Sequence, residues 1–356
     1  MTPPSDIRTT PQPKCRTCGS TGHSFAEGLQ DRVYTVPGRW NLKACDNAAC
    51  GSVWLDPCPM AADIPKLYEN YFTHGEPAEK SKIARFSEWF YKVTTRALRS
   101  EPEALATIKP ASVADASGSE KLFARFFLSI GPIRENVIAQ SRWLHELPPG
   151  KLFDVGCGSG EFLQAMRELG WQVSGLEPDD RAAEEARKKG FAVTTAAIEE
   201  LNEAPGQYDV VTMVHVIEHL LDAKAVLEKC RGLLKPGGLL MMVTPNVKSL
   251  SAEIFGSSWF GWEIPRHIHM YSPQSLLATM MAAGFAGARV HTTSHSASGM
   301  WRLSRHIREH GSVPNMQAGF APWLWFPSGW FQIREYLRCR WHLDGEELIA
   351  FARKSS

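Results

Sequence analysis

The chain has 356 residues and a net charge of +1, and its composition is 44% hydrophobic and 22% charged. This length suffices for one large domain and a small one, and the near-neutral charge argues against nucleic acid as the main partner. No apolar run reaches the about 18 residues of a spanning helix, and the first residues lack the apolar core of a signal peptide. We therefore expect a cytoplasmic globular protein without disulfides.

The N-terminal region combines a polar tail with a cysteine cluster. Residues 1–14 are polar and contain four prolines, which predicts a disordered tail. Two close cysteine pairs follow, each with a glycine after it: Cys15-x2-Cys18 and Cys45-x4-Cys50. Four thiolates in this pattern match the tetrahedral coordination that zinc prefers. With strands predicted at 33–34, 40–42 and 52–55, we expect a structural zinc ribbon over 15–60, beside a spare thiol at Cys58.

Residues 61–131 form a predicted helical linker region. Apolar residues recur at helical spacing between 63 and 100, with lysines and arginines on the other faces. A basic amphipathic helix can lie on an anionic membrane or pack on its own domain, and both interpretations stay open. Residues 101–119 have the composition of a loop, and helices are predicted at 122–130 and 133–147.

A glycine-rich turn after an apolar strand is the most informative segment of the chain. It reads Asp154-Val155-Gly156-Cys157-Gly158-Ser159-Gly160. A second predicted strand ends at Glu177, 23 residues after Asp154, where a carboxylate can accept both hydroxyls of a ribose. The GxGxG spacing differs from the GxGxxG of dinucleotide sites, which bind a pyrophosphate at a helix N-terminus. An acid beside the turn suits instead the ammonium group of S-adenosylmethionine.

Alternating elements continue from this turn to the end of the chain. Helices are predicted at 161–169, 180–189, 222–234 and 273–283. Strands are predicted at 152–155, 172–176, 191–195, 208–214, 239–244, 287–293 and 346–353. This alternation predicts an α/β fold with a mostly parallel sheet covered by helices on both faces.

Several ordered motifs carry a family resemblance. They are Asp154–Gly160, Gly175–Pro178, Tyr208–Val211, Val216–Leu220 and Leu234–Gly238. Together they resemble the class I S-adenosylmethionine-dependent methyltransferases, closest to the ubiquinone-biosynthesis O-methyltransferases, over roughly 132–295 and the last strand. The resemblance implies a Rossmann-like, doubly wound, seven-stranded methyltransferase sheet within residues 132–356, with its last strand antiparallel.

The resemblance also implies roles for individual residues. Asp154, Gly156 and Gly158 would line the methionine end of the cofactor, and Glu177 would hold the ribose. Ala197 and Ile198 stand where the family places the adenine, although this chain lacks the aspartate that many relatives have beside that position. We also assign to the cofactor site Cys157, Gly160, Pro178 and His215, the last through its backbone.

Transfer of a methyl group to a hydroxyl requires an aligned nucleophile and a base. A neutral histidine suits that role near pH 7, and the candidates are His215, His219, His267 and His269. We favour His219 or His267 as the catalytic base. In ubiquinone-type O-methyltransferases the pair corresponding to Glu218-His219 has been linked to a divalent metal, so a metal role also stays open.

Two segments do not fit the alternation. Residues 246–272 are expected to form a lid over the carboxyl edge of the sheet. Residues 297–344 form an aromatic insertion whose segment 319–332 could cap the acceptor pocket, contact the inner face of a membrane, or form a homodimer contact.

Three functions are compatible with the sequence. The favoured one is O-methylation of a hydroxyl on a sugar, glycan or natural-product small molecule. The alternatives are an RNA or protein methyltransferase that binds its substrate through the zinc ribbon, and a non-catalytic scaffold that retains the methyltransferase fold.

Overall fold

The computed structural model describes residues 7–69, 89–90, 93–95, 118–313 and 325–355. By its internal contacts the chain divides into two compact units. The cysteine unit comprises residues 1–71, 214–231 and 242–353, and the glycine-loop unit comprises 72–213, 232–241 and 354–356. In the described ranges no helix is long and apolar enough to cross a membrane.

The N-terminal segment contains short strands and one 3-10 helix. The strands are β1 (Thr9–Thr10), β2 (Gly22–Leu29), β3 (Trp40–Cys45), β4 (Val53–Leu55) and β5 (Cys58–Pro59), and the 3-10 helix is Ala61–Tyr68. The strand β2 was not predicted because half of its residues are exposed and only Leu29 is buried, so its sequence lacks apolar alternation. The predicted strand at 33–34 is wrong, because this segment instead bends around the Asp31 carboxylate, which accepts the amides of Val33 and Val36.

The prediction of a disordered tail is wrong for residues 7–14. Ile7 is buried, and β1 pairs with β5. The Arg8 guanidinium donates to the Asp63 carboxylate at 2.8 Å, and the Trp54 indole donates to the Gln12 carbonyl at 2.8 Å. These long-range contacts hold a segment whose own composition predicts no structure. Residues 1–6 lie outside the described residues.

The elements that follow are α1 (Gly118–Leu128), α2 (Gly131–Gln140), β6 (Lys151–Val155), α3 (Glu161–Glu168), β7 (Gln172–Leu176), α4 (Asp180–Lys188), β8 (Ala192–Thr194), β9 (Tyr208–Val214), α5 (Ala223–Leu233) and β10 (Leu234–Pro245). The remainder are α6 (Leu250–Phe255), β11 (His269–Met270), α7 (Pro273–Ala282), β12 (Arg289–Thr293), α8 (Ala297–His310), α9 (Trp325–Arg338) and β13 (Glu347–Arg353). Every predicted strand and helix after residue 150 is present to within a few residues. Most of the amphipathic helix expected over 63–100 lies outside the described residues.

Seven strands form one mixed sheet in the order β12-β13-β10-β9-β6-β7-β8. The pairs β6–β7, β6–β9 and β7–β8 are parallel, and β12–β13 is antiparallel. Leu152 and Phe153 of β6 are fully buried, as expected for a central strand covered on both faces. Helix α4 begins at an Asp179 cap whose side chain accepts the Ala182 amide, and it turns three alanines toward the core. The predicted Rossmann-like, seven-stranded fold is confirmed.

A second sheet joins the N-terminal segment to the predicted lid. Its order is β11-β4-β3-β2, and every pairing is antiparallel. The strand β11 pairs with β4 through His269–Trp54 and Met270–Val53. Leu42 and Leu55 of the N-terminal segment share one buried core with Trp259 and Met270 of residues 246–272. The boundary expected between a ribbon at 15–60 and a separate catalytic domain is therefore wrong, since both segments build the cysteine unit.

Candidate functional site

The glycine turn connects β6 to α3 in the glycine-loop unit. The amides of Gly156 and Cys157 donate to the Leu176 carbonyl at 2.8 and 3.0 Å, which fixes the turn to the end of β7. Gly158 and Gly160 have φ values of 54° and 81°, where side chains are strained. A Cβ at Gly160 would lie 2.9 Å from the Phe191 ring, whereas one at Gly158 would meet nothing within 4 Å. Gly160 is thus needed for packing, and Gly158 faces open space into which a ligand can come.

Glu177 follows β7 and closes this turn. Its carboxylate accepts the Gly158 amide at 2.8 Å through Oε2 and the Asp179 amide at 3.0 Å through Oε1. Burial raises the pKa of Glu177, and the two amides oppose that effect. Each carboxylate oxygen can accept a further hydrogen bond, so a vicinal diol could bind to both. This arrangement fits a ribose.

Asp154 is fully buried at the end of β6. Its Oδ1 accepts the Thr212 hydroxyl at 2.6 Å and the Arg142 guanidinium, which also lies 3.5 Å above the Phe162 ring. Its Oδ2 is buried without a hydrogen-bond partner among the described residues. Burial raises the pKa of Asp154, and Arg142 opposes this. One oxygen is therefore paired within the protein, and the other is an acceptor that is buried beside the glycine turn without a partner in the described ranges.

Arg142 was not among the site residues predicted from the sequence. Its backbone and that of Trp143 adopt φ values of 45° and 56°, a strained region for residues with side chains. Arginine and tryptophan have no special tendency to adopt positive φ values, so this strain can be recognised only in the structure.

The other predicted cofactor residues have mixed surroundings. Cys157 is buried, its sulfur lies 2.8 Å from where a Gly175 Cβ would stand, and burial raises the pKa of its thiol to about 12. A neutral, packed thiol is the result. Ile198 is buried in the core, Ala197 is half-buried and Pro178 is exposed. Their assignment to the adenine side stays a prediction.

His215 lies in the cysteine unit directly after β9. Its amide donates to the Val243 carbonyl at 3.0 Å, so the backbone contact predicted for it cannot use that amide. Its imidazole lies 3.4 Å from Glu218 through Nδ1 and 3.1 Å from Glu347 through Nε2. Partial burial works against the charged ring, but these two carboxylates raise the pKa of His215 to about 10. His215 is therefore protonated at neutral pH and cannot act as a base.

His219 and His267 form a neutral pair in the same unit. Their rings are 4.7 Å apart and nearly perpendicular. The Nδ1 of His219 lies 3.0 Å from the Arg266 carbonyl and 3.1 Å from the Tyr68 hydroxyl. The Nδ1 of His267 lies 2.8 Å from the Gly261 carbonyl. Because a carbonyl only accepts, each Nδ1 carries the proton, and each Nε2 keeps its lone pair.

Burial sets the protonation state of this pair. It lowers the pKa of both His219 and His267 to about 4, so both rings are neutral at pH 7. His267 Nε2 lies 3.9 Å from Glu218 Oε1, which is buried without a hydrogen bond among the described residues, while Thr244 donates to Oε2 at 2.9 Å. The His215 imidazolium outweighs burial and holds the pKa of Glu218 at about 2. Glu218, His219 and His267 offer ligand atoms within 4.8 Å of one another.

The fourth candidate, His269, is placed apart from this pair. It belongs to β11, stacks on Tyr271 at 4.5 Å and has its Nε2 3.2 Å from the Thr17 hydroxyl. Burial lowers the pKa of His269 to about 4. Its surroundings are those of a histidine in the core.

The four predicted metal ligands, Cys15, Cys18, Cys45 and Cys50, come together in the structure. Their sulfurs lie within 4.8 Å of one another, with separations of 3.8 Å for Cys15–Cys50 and 3.4 Å for Cys18–Cys45. A tetrahedral zinc with sulfurs at 2.3 Å would space them about 3.8 Å apart. A hydrogen bond from Cys50 lowers the pKa of the Cys15 thiol to about 4. Cys58 is buried elsewhere, with its sulfur 3.5 Å from Arg16. The donor set and spacing fit a zinc ion.

Known proteins resemble the central part of the chain. A family described as a methyltransferase domain matches residues 132–290. A ubiquinone biosynthesis O-methyltransferase of Bordetella bronchiseptica is 34% identical over 159 residues, covering 40% of this chain and 66% of the relative. One from Rhizobium etli strain CIAT 652 is 30% identical over 170 residues, covering 44% of this chain and 68% of the relative. The alignments thus span about two thirds of these relatives.

Solved structures of S-adenosylmethionine-dependent methyltransferases also resemble the chain. One from Thermotoga maritima, described as a possible histamine N-methyltransferase, is 21% identical with a TM-score of 0.42, over 66% of this chain and 95% of that one. Another, from Archaeoglobus fulgidus, is 18% identical with a TM-score of 0.41, over 65% of this chain and 98% of that one.

Proposed function

Because the chain belongs to the S-adenosylmethionine-dependent methyltransferases, we propose that it methylates a hydroxyl oxygen of a small-molecule acceptor. A sugar, a glycan or a natural product is the acceptor class that we favour. The observation that carries the proposal is the neutral pair His219 and His267, in which both Nδ1 protons are donated to backbone carbonyls and both Nε2 lone pairs remain. The names of the curated relatives, which are O-methyltransferases, agree with it.

The glycine-loop unit supplies the cofactor site in this proposal. Glu177 accepts the ribose hydroxyls, Gly158 leaves space for the ligand, and Asp154 places a carboxylate at the methionine end of the turn. When bound, S-adenosylmethionine supplies a methyl group on a positively charged sulfur, which leaves as a neutral thioether.

The histidine pair supplies the base. On methylation the acceptor hydroxyl would lose its proton, and a histidine Nε2 would accept it. His219 is the better candidate because it is only half-buried, whereas His267 is 5% exposed. The His219 Nδ1–H donates to the Arg266 carbonyl, which stabilises the charge that the ring acquires. The neutral ring of His267 lies beside that of His219.

A divalent metal is a second role that the same cluster supports. Glu218, His219 and His267 provide one carboxylate and two imidazole nitrogens within 4.8 Å, a set that suits several divalent metals. Metal-bound histidines commonly donate their other N–H to a backbone carbonyl, as both do here. In this role the metal would lower the pKa of the acceptor hydroxyl, so that its proton could pass to water instead of to a histidine.

The first test is calorimetric titration with S-adenosylhomocysteine, comparing wild type with Glu177→Ala. Loss of two charge-assisted hydrogen bonds predicts an affinity reduced by about 100-fold. Glu199→Ala, a turn acid without a role in the proposal, is the matched control. Absence of binding by folded wild type would reject the enzyme and favour the scaffold.

The second test is methyl transfer from radiolabelled cofactor to a panel of sugars, phenols and polyketide-type alcohols, using protein that holds one zinc per chain in its cysteine cluster, with and without added Mg²⁺ or Mn²⁺. Activity without an added metal favours the histidine base, and activity that requires one favours the metal role. Labelling of RNA or protein in an extract, with no labelled small molecule, would contradict the proposal.

A further inference from the structure

We propose that the buried ion pair between Asp31 and Arg266 positions the histidine pair, so that the N-terminal segment is part of the acceptor site. This inference rests on the function proposed above. It assigns a positioning role to residues 7–69, which lie outside the region matched by the methyltransferase-domain family.

The ion pair is completely enclosed. Both side chains are 0% exposed, and Arg266 donates to the two oxygens of Asp31 at 2.9 and 3.2 Å. Arg266 also donates to Glu263 at 3.0 Å and lies 4.3 Å above the Tyr34 ring. Two buried charges gain little net stability, because desolvation offsets their attraction. A bidentate pair does fix the orientation of both partners.

The backbone of Arg266 transmits this orientation to His219. Its carbonyl accepts the Nδ1–H of His219, and this hydrogen bond determines which ring nitrogen keeps the lone pair. If the carbonyl turned away, the other tautomer could form, and Nε2 could no longer accept a proton. The residue that Asp31 anchors is therefore the one that sets the reactive form of the base.

The next residues connect the same segment to the rest of the cluster. The Ile268 amide donates to the Glu218 carbonyl at 2.8 Å, and the Ile268 carbonyl accepts the Leu55 amide of β4 at 3.0 Å. His267 lies between these two anchored residues. The chain from Arg266 to Ile268 is thus held on one side by the N-terminal segment and on the other by the turn that carries the histidine and acid.

The cysteine cluster extends this support. The Ser272 hydroxyl, which caps α7, donates to the Cys50 carbonyl at 2.6 Å. Thr17, between Cys15 and Cys18, contacts His269 of β11. The strand β11, which follows His267 in the chain, pairs with β4 of the N-terminal segment. The cysteine cluster is therefore joined to the segment that carries His267.

The test compares Asp31→Asn with wild type in ¹⁵N-histidine NMR, methyl transfer and calorimetry. Wild type should show His219 as the Nδ1–H tautomer. Asp31→Asn should show a mixture of tautomers and a kcat reduced at least tenfold, with the affinity for S-adenosylhomocysteine changed less than twofold. An unchanged tautomer together with kcat within twofold of wild type would overturn the proposal.

A second variant allows for failure of Asp31→Asn to fold, since it leaves Arg266 without its carboxylate. The double variant Asp31→Leu/Arg266→Met removes both charges at similar volume and is expected to fold. It should show the same tautomer mixture and low kcat. Full activity in the double variant would mean that the two side chains only fill space in the core, and it would overturn the proposal. Because the tautomer is observed without an acceptor, an inactive wild type would reject the proposed function while leaving this readout intact.

A separate observation concerns helix α9, and from it we infer a surface that docks on an anionic lipid bilayer. Four large apolar side chains at spacings of four, three and four residues form one exposed stripe: Phe326 84%, Trp330 65%, Ile333 42% and Leu337 56%. Trp341 and Leu343 extend the exposed apolar surface beyond the helix. Tryptophan is favoured at the boundary between lipid headgroups and acyl chains.

The charges around this stripe indicate which kind of partner binds to it. Within the described residues 326–344, the side chains of Arg334 and Arg340 are exposed, Arg338 is paired with the half-buried Asp344, and Glu335 is buried. An apolar helical face bordered by exposed cations is complementary to phosphatidylglycerol or another anionic lipid. A second copy of the chain would instead place like charges together.

Vesicle flotation tests this surface with phosphatidylcholine alone and with 30% phosphatidylglycerol added, a composition of roughly one anionic lipid in three. Wild type should float only with anionic vesicles, and Trp330→Glu should weaken binding at least tenfold. Leu122→Glu, an equally exposed apolar position on α1, is the matched control and should bind as wild type does. No flotation at low salt, equal loss in both variants, or a dimer dissolved by Trp330→Glu in sedimentation without vesicle binding would overturn it.

Discussion

The glycine turn and the histidine pair are built in opposite ways. The turn presents backbone amides and one carboxylate, and its key hydrogen bond joins Gly158 to Glu177, 19 residues apart. The histidine pair consists of side chains oriented by distant parts of the chain, through Tyr68 to His219 across 151 residues and Asp31 to Arg266 across 235. A ligand site made of local backbone tolerates changes elsewhere in the chain. A reactive site made of distant side chains depends on the whole cysteine unit, so the two should respond differently to perturbation.

Removal of zinc should separate them most strongly. Zinc binding to four cysteines contributes about 10–16 kcal/mol of apparent free energy in small zinc domains. We expect chelation or Cys18→Ser to abolish methyl transfer and the cooperative unfolding of the cysteine unit, with cofactor affinity changed less than about threefold. Elemental analysis should find one zinc per chain in wild type and in the control Cys58→Ser. Full activity in a zinc-free protein would contradict the dependence.

Replacement of the base should affect the reaction alone. His219→Gln keeps a polar side chain but cannot take the proton, so we expect kcat to fall by about 10²- to 10⁴-fold. Affinity for S-adenosylhomocysteine should not change. His291→Gln, at an exposed histidine of β12, serves as the control. If single-turnover rates of His219→Gln match those of wild type while those of His267→Gln fall, then His267, and not His219, is the base.

The two glycines of the turn should divide folding from binding. An alanine at Gly160 meets the Phe191 ring at 2.9 Å in addition to its strained φ, so we expect a loss of about 2–4 kcal/mol in the free energy of unfolding. An alanine at Gly158 meets no neighbour and should cost only about 1 kcal/mol, but its methyl group would occupy the ligand's space. Denaturant titration and calorimetry on both variants measure the two effects. Equal stability losses in the two variants would mean that the strained φ values, and not the contact with Phe191, determine the cost of both substitutions.

Acid should weaken the cysteine unit through its buried histidines. The pKa of His269 is lowered to about 4 in the folded chain, against about 6.5 when unfolded. Its contribution to stability is complete above pH 6.5 and is lost as the pH falls toward 4, with a slope of up to about 1.4 kcal/mol per pH unit. The denaturation midpoint of His269→Phe should therefore fall less than that of wild type between pH 7 and 5. His342→Phe, at an exposed site, should follow wild type.

The features that could be predicted from the sequence are those that depend on residues close together in the chain. The strand–turn–helix around Asp154, the acid at Glu177 and the spacing of the four cysteines all arise from neighbouring residues, and the fold agrees with them. Arg142, Asp31 and Tyr68 were missed because their roles depend on partners far away in the chain. The edge strand β2 was missed because exposed strands show no apolar alternation. His219 and His267 were named as candidates, but their tautomers and their carbonyl partners could come only from the structure.

The pairing of β4 with β11 has a consequence for synthesis of the chain. Trp54 and Val53 complete their sheet only with residues 269–270, which the ribosome makes more than 200 residues later. At typical elongation rates of 5–20 residues per second, the edge of β4 waits about 10–40 s for its partner. During that interval an apolar strand edge is open to other chains. Nascent chains arrested before residue 269 should therefore recruit chaperones, and release from them should coincide with the emergence of β11.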